Sequence, residues 1–106
     1  MNSKGYNKFK EITENPIILD FSKCKYLGEI HLMLKEKFGL PEYYGENWDA
    51  LWDCLDGLFY DRGEFVITIK GVDHLDHKLK EACGPMLEIF SEIEQKEENV
   101  RFFFEA

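Results

Sequence analysis

The chain has 106 residues, a formal net charge of −8, 44% hydrophobic residues and 15% aromatic residues. That length suits one compact domain rather than two, and the apolar content is sufficient for a buried core, which argues against a disordered chain. No apolar stretch reaches the roughly 20 residues that a membrane-spanning helix needs, and the polar first residues do not resemble a secretory signal. We therefore expect a cytoplasmic protein without a membrane segment.

The cysteines and histidines do not indicate a metal site or a reactive thiol. Three cysteines without a C-x-x-C motif argue against a disulfide framework or a zinc ribbon, and favour a reducing compartment. Cys54 lies within a predicted helix beside core positions, so we interpret it as a buried, inert thiol. His74 and His77 could share a helix face, but a third ligand is missing nearby. We predict no metal and no cofactor.

Negative charge is concentrated in one part of the chain. Residues 42–64 carry seven acidic side chains and one basic side chain, whereas residues 1–41 have a small excess of bases. Contacts to nucleic-acid phosphates need clustered lysine and arginine, so we do not expect direct nucleic-acid binding. A concentrated acidic patch favours a basic partner, although high net charge also serves solubility alone.

The first half of the chain begins with a polar segment and continues with three predicted elements. Residues 1–14 have little periodicity and are predicted to form a flexible arm. The β-branched, apolar run Pro16–Phe21 predicts a buried strand. Apolar residues at helical spacing predict a helix over Tyr26–Phe38, ended by a glycine. Asn47 is a good N-cap for a second helix, which should continue to about Leu58.

The second half alternates strands and helices in the same way. We predict a strand over Glu64–Ile69, a helix over Val72–Cys83, a helix over Met86–Lys96 that begins at a proline, and a strand over Val100–Phe104. Strands separated by helical crossovers predict an α/β fold over residues 15–106, with a small three-stranded parallel sheet and about four helices. The strands are short, so an antiparallel edge is also compatible with this pattern.

The second predicted helix carries an unusual row of carboxylates. Asp49, Asp53 and Asp56 have the spacing i, i+4, i+7, which places them on one face beside an apolar stripe. The helix dipole favours Asp49 but disfavours the other two, neighbouring carboxylates repel each other, and the segment has no lysine or arginine. Several small penalties on one face indicate a functional surface. A solvated acidic face is the alternative.

Three aligned carboxylates could bind a divalent metal, act as acid and base in hydrolysis, or contact a protein partner. Metal binding and catalysis usually use ligands from separate elements around a cleft. Aromatic residues flank this row, namely Tyr43, Tyr44 and Trp52, and aromatic anchors beside charges are typical of interfaces. A nucleophile, a base and an oxyanion donor cannot be assembled from the sequence, so we predict that the chain is not an enzyme.

The segment Leu40–Leu55, LPEYYGENWDALWDCL, closely resembles the signature of the barstar family, intracellular inhibitors of secreted ribonucleases of the barnase type. The resemblance continues at lower identity over about Ile17–Phe104. It implies a fold with a three-stranded parallel sheet, and a loop and second helix that plug the ribonuclease active site. Acidic side chains would take the place of RNA phosphates there. We expect a monomer when the protein is free.

The resemblance also assigns partner-binding residues, with Asp53 as the central carboxylate that would pair with the arginine and histidine of the enzyme's active site. The predicted set comprises Tyr43, Asn47, Asp49, Trp52, Asp53, Asp56, Gly57 and Glu92. Some positions depart from the family pattern: Asp56 replaces a threonine, Leu58 a tryptophan and Lys96 an acidic residue. The central contact is unaffected, but an immunity or adaptor protein of the same fold, acting on another basic partner, is the alternative.

Overall fold

A computed structural model describes residues 10–105. Its three strands, β1 (Ile17–Asp20), β2 (Phe65–Lys70) and β3 (Val100–Glu105), form one sheet in the order β1-β2-β3. Both pairings are parallel, with Ile67 of β2 beside Ile17 of β1 and Phe102 of β3. This confirms the predicted α/β fold with a parallel sheet, and no edge of the described sheet is antiparallel.

Helices occupy the connections between the strands. The described α-helices are α1 (Leu27–Phe38), α2 (Trp48–Leu55), α3 (His77–Ala82) and α4 (Gly84–Lys96). Only Cys83 separates α3 from α4, so the two form an interrupted helical crossover between β2 and β3, which can equally be counted as one helical unit.

The core lies between one face of the sheet and the helices. Ile17 and Leu19 of β1 are fully buried while Ile18 and Asp20 between them are exposed, as expected for a sheet covered on one face. Large aromatic side chains fill the core, including Phe21, Phe38, Phe59 and Phe90. The rings of Phe90 and Phe102 stack at 4.6 Å and fix α4 against β3.

Two helix ends lie where the sequence predicted them. Gly39 ends α1 with φ 64°, a left-handed conformation that glycine adopts without strain. Asn47 begins α2, and its side chain accepts a hydrogen bond of 2.8 Å from the backbone N–H of Ala50. The loop between Gly39 and Asn47 is therefore bounded by a helix stop and a helix start.

The predicted end of the second helix is wrong. α2 stops at Leu55, and Asp56 has an extended backbone with φ −67° and ψ 101°. Gly57 then turns the chain with φ 97°, and Leu58 and Phe59 enter the core. Burial of these two apolar side chains favours the turn over a continued helix.

The predicted helix over Val72–Cys83 is also wrong in its first half. Val72–His74 is a single 3-10 turn, and Leu75 is extended and buried. α3 begins only after Asp76, whose carboxylate accepts a 2.9 Å hydrogen bond from the N–H of Leu79. His74 and His77 consequently do not share a helix.

Of the predicted arm, residues 1–9 lie outside the described residues. The N–H of Lys10 donates to the carbonyl of Gly39 at 2.7 Å, and Lys10 also pairs with Glu42 in the loop before α2. The amide of Asn15 donates to the carbonyl of Glu64 at 2.6 Å, close to the start of β2. Residues 10–15 thus connect the loop before α2 to the beginning of the central strand.

Polar side chains cover the outer edge of β3, which within the described sheet pairs with β2 only. The N–H of Phe102 donates to the Glu94 carboxylate of α4 at 2.9 Å. The Arg101 guanidinium donates to the carbonyl of Val100 at 2.9 Å. Phe103 is half exposed on this strand.

Candidate functional site

The helix α2 has one buried face and one exposed acidic face. Leu51 and Leu55 are fully buried, whereas Asp49 and Asp53, one turn apart, are exposed. Trp48 lies between the two faces, half buried, and its indole N–H donates to the carbonyl of Ala82 at 3.1 Å. The apolar face fixes the helix, which leaves both carboxylates accessible to a partner.

The loop before α2 is held in place by Tyr44 and presents Tyr43. The Tyr44 side chain is buried, with its hydroxyl 2.7 Å from Nδ1 of His31, and His31 is only 2% exposed. The His31 ring also lies against Trp48, with ring centroids 4.4 Å apart. Tyr43, by contrast, is 64% exposed. The buried tyrosine therefore anchors the loop, and its neighbour is available for contacts.

Burial sets the protonation states of this anchor. Desolvation lowers the pKa of His31, although the negative charge of Glu46 acts in the opposite direction. Desolvation also raises the pKa of Tyr44 well above its ordinary value. Both groups are neutral at pH 7, which suits a hydrogen bond inside the protein.

A cleft of about 280 Å³ between α2 and α4 joins three of the predicted residues. It is lined by Trp48, Asp49, Trp52, Pro85, Glu88, Ile89 and Glu92. Asp49 and Trp52 of α2 thus share a surface with Glu92, which is distant in sequence. Glu88 also lines the cleft and was missed. Its spacing of four residues from Glu92 on α4 was the available signal.

Asp56 does not continue the acidic row of α2. It is the C-cap, and its carboxylate pairs with Lys96 in the last turn of α4. The ammonium of Lys96 lies 5.8 Å from the centroid of the Trp52 ring. The prediction that Asp56 lies on the helical face is therefore wrong, and α4 supplies the base that the segment of α2 itself lacks.

The remaining predicted residues lie at both ends of α2. Asn47 is exposed at its N-terminus and Gly57 is exposed just beyond its C-terminus, whereas Leu58 belongs to the core. Three of the predicted carboxylates form no salt bridge with a lysine, arginine or histidine of residues 10–105, namely those of Asp49, Asp53 and Glu92.

The described residues contain no group of three or more histidine, cysteine, aspartate or glutamate side chains arranged to hold a metal ion. Within the same range, no helix has both the length and the apolar character needed to cross a membrane. Cys54 is half buried, and desolvation raises its pKa. Cys83 is buried, and desolvation raises its pKa to about 11. Both thiols are protonated at neutral pH.

A family model described as Barstar (barnase inhibitor) matches residues 15–106, which include every strand and helix that the structure describes. The chain belongs to the barstar family. A Bacillus subtilis (strain 168) protein named "Putative ribonuclease inhibitor YrdF" is similar to it, with 32% identity over 80 residues. This match covers 76% of the chain and 86% of the Bacillus protein. The barstar family is the one that the segment Leu40–Leu55 indicated.

Proposed function

We propose that this barstar-family protein is a stoichiometric inhibitor of a ribonuclease of the barnase type. The observation that supports this most directly is a set of exposed carboxylates: Asp49 and Glu92 line the cleft between α2 and α4, and Asp53 lies one turn along α2 from Asp49. These carboxylates are exposed beside half-buried Trp52, without a basic partner among residues 10–105. A ribonuclease that binds RNA phosphates has a cationic active site, and such a surface complements it.

Inhibition would require only occupancy of the active site. Asp49 and Asp53 lie one turn apart, about 5–6 Å between their Cβ atoms, so both can face one cleft of the enzyme. Tyr43 and Trp52 would supply aromatic contacts around them. The chain itself would bind neither RNA nor a cofactor and would carry out no reaction.

The acidic surface would also accelerate complex formation. Opposite charges steer two proteins together before contact, and salt screens this attraction. We propose a basic, secreted partner and a monomeric inhibitor that stays in the cytoplasm, where the odd number of cysteines remains reduced.

A titration of the RNA-cleaving activity of barnase tests the proposal. We expect a one-to-one end point with the unmodified protein. Asp53→Ala should weaken inhibition roughly a hundredfold, because about 3 kcal/mol is lost when a buried cation of the enzyme is left unpaired. Asp73→Ala is the control, since Asp73 is an exposed aspartate that pairs with Lys80 of α3. Absence of inhibition, or equal effects of the two substitutions, would contradict the proposal.

A second candidate function is supported by the ion pair of Asp56 and Lys96, which changes the charge at one end of the surface. The chain would then be an immunity or adaptor protein of the barstar fold for a different basic partner. Capture of a basic protein without ribonuclease activity, lost in Asp53→Ala, would favour this alternative over the first.

A further inference from the structure

The acidic surface ends at a basic side chain. Lys96 lies in the last turn of α4, where the helix dipole favours a cation. Its ammonium pairs with the carboxylate of Asp56 and lies 5.8 Å from the centroid of Trp52. Lys96 is therefore in contact with the same tryptophan that borders the cleft between α2 and α4.

A backbone hydrogen bond fixes the position of Asp56 in this ion pair. The backbone N–H of Asp56 donates to the carbonyl of Trp52 at 2.8 Å, which holds the C-cap against the last turn of α2. The side chains of Lys96 and Asp56 are 49% and 40% exposed. A partner bound to the acidic surface can therefore reach both charges, and they are not part of the core.

The surface consequently has two regions of different charge. In the open region, Asp49, Asp53 and Glu92 lack a salt bridge within residues 10–105. At the neutralised edge, the charge of Asp56 is already balanced by Lys96. A cation of a partner would be attracted to the open region, but at the edge it would meet Lys96 and gain little from Asp56. Unfavourable contacts of this kind are a common source of specificity.

We propose that Lys96, positioned by Asp56, is a specificity determinant of this inhibitor. It favours ribonucleases whose cations face the open region, and it weakens binding to those that also carry a cation opposite Lys96. This inference rests on the proposed function, since it concerns which ribonucleases the same surface accepts.

Inhibition constants for barnase provide the test, with Lys96→Gln and Lys96→Glu compared with the unmodified protein. The active site of barnase binds a polyanion, so its cations are expected to extend beyond the area of one carboxylate. Lys96→Glu removes a repulsion, adds an attraction and frees Asp56, and should lower the inhibition constant about tenfold. Lys96→Gln should lower it about threefold by the same reasoning.

Lys80→Glu is the matched control. Lys80 pairs with Asp73 at 3.0 Å and is 48% exposed, so the substitution breaks a similar ion pair and changes the net charge equally. Neither Lys80 nor Lys96 lines the cleft between α2 and α4, but Lys96 lies over Trp52, which does, whereas Lys80 lies on α3. We expect an effect of no more than about twofold, from long-range attraction alone. The thermal midpoint of each variant verifies that it is folded.

The outcomes separate this inference from the proposed function. If the unmodified protein inhibits barnase and both Lys96 variants match it or match Lys80→Glu, the role of Lys96 is refuted while the inhibitor function stands. If only the Lys96 variants inhibit, the role of Lys96 is supported, whereas inhibition of barnase by the unmodified protein is refuted. If no variant inhibits, including Lys96→Glu, the barnase-type partner is refuted and the inference falls with it.

Discussion

The helices α2 and α3 differ in how their charges are satisfied. Around α3, Asp76 caps the helix and Lys80 pairs with Asp73 at 3.0 Å. On α2, Asp49 and Asp53 are exposed without a salt bridge in the described residues. The charges of Asp73, Asp76 and Lys80 are explained by these contacts within the chain itself. Those of α2 are not, which makes them the better candidates for contact with another molecule.

The largest expected difference in the free energy of unfolding is between substitutions on the two faces of α2. Leu51 is fully buried, so Leu51→Ala should lower the free energy of unfolding by about 3 kcal/mol through lost contacts and a cavity. Asp53→Ala should leave that free energy nearly unchanged. Urea denaturation of both variants measures the difference. A large loss of stability in Asp53→Ala would mean that its charge serves the fold.

The two N-caps provide a second comparison. Asn47 and Asp76 each accept a hydrogen bond from the first turn of their helix, so Asn47→Ala and Asp76→Ala should each cost about 1 kcal/mol of stability. Only Asn47→Ala should also weaken inhibition of a ribonuclease, because Asn47 borders the proposed surface. Similar inhibition constants for the two variants would remove Asn47 from the binding site.

The stability that buried His31 provides at the loop before α2 should depend on pH. Desolvation lowers the pKa of folded His31 below its ordinary value near 6.5, so the unfolded chain binds the proton more readily. The stability due to neutral His31 is present above that value and is lost as the pH falls below it. Urea midpoints between pH 7.5 and 5 should decline, and less so in His31→Gln. An equal decline in both would assign the effect to other groups; His74→Gln is the control.

The smallest expected change in the free energy of unfolding comes from a substitution on α3. Lys80→Ala should change the free energy of unfolding by at most about 0.5 kcal/mol, because both partners of its ion pair are exposed and screened by water. Inhibition should also be unchanged within error. A clear loss of inhibition would show that the partner surface extends to α3, and would weaken the distinction between the two helices.

Local sequence patterns predicted those parts of the fold that depend on interactions between residues near each other in the chain. The strands, the glycine stop at Gly39 and the cap at Asn47 follow from residue type and spacing within a few positions. The C-terminal end of α2 and the start of α3 do not, because burial of Leu58 and Leu75 overrides helical continuation there. These helix boundaries depend on how elements that are distant in sequence pack together.

The same limit applies to the candidate site. The row of carboxylates on α2 was visible in the sequence, and so was the unusual absence of a base within that segment. Lys96 is 40 positions from Asp56, and no periodicity connects the two. Glu88 could have been inferred from its spacing to Glu92, but only once α4 was known to lie beside α2.

The covered edge of β3 affects the concentration that this protein can reach without aggregating. In the proposed function, the protein would have to be present in at least as many copies as its target, and would therefore have to stay soluble at high concentration. An uncovered strand with Phe103 half exposed would offer free backbone groups to a second chain. The carboxylate of Glu94 and the guanidinium of Arg101 already occupy two of those groups. This edge therefore discourages strand-to-strand aggregation at high concentration.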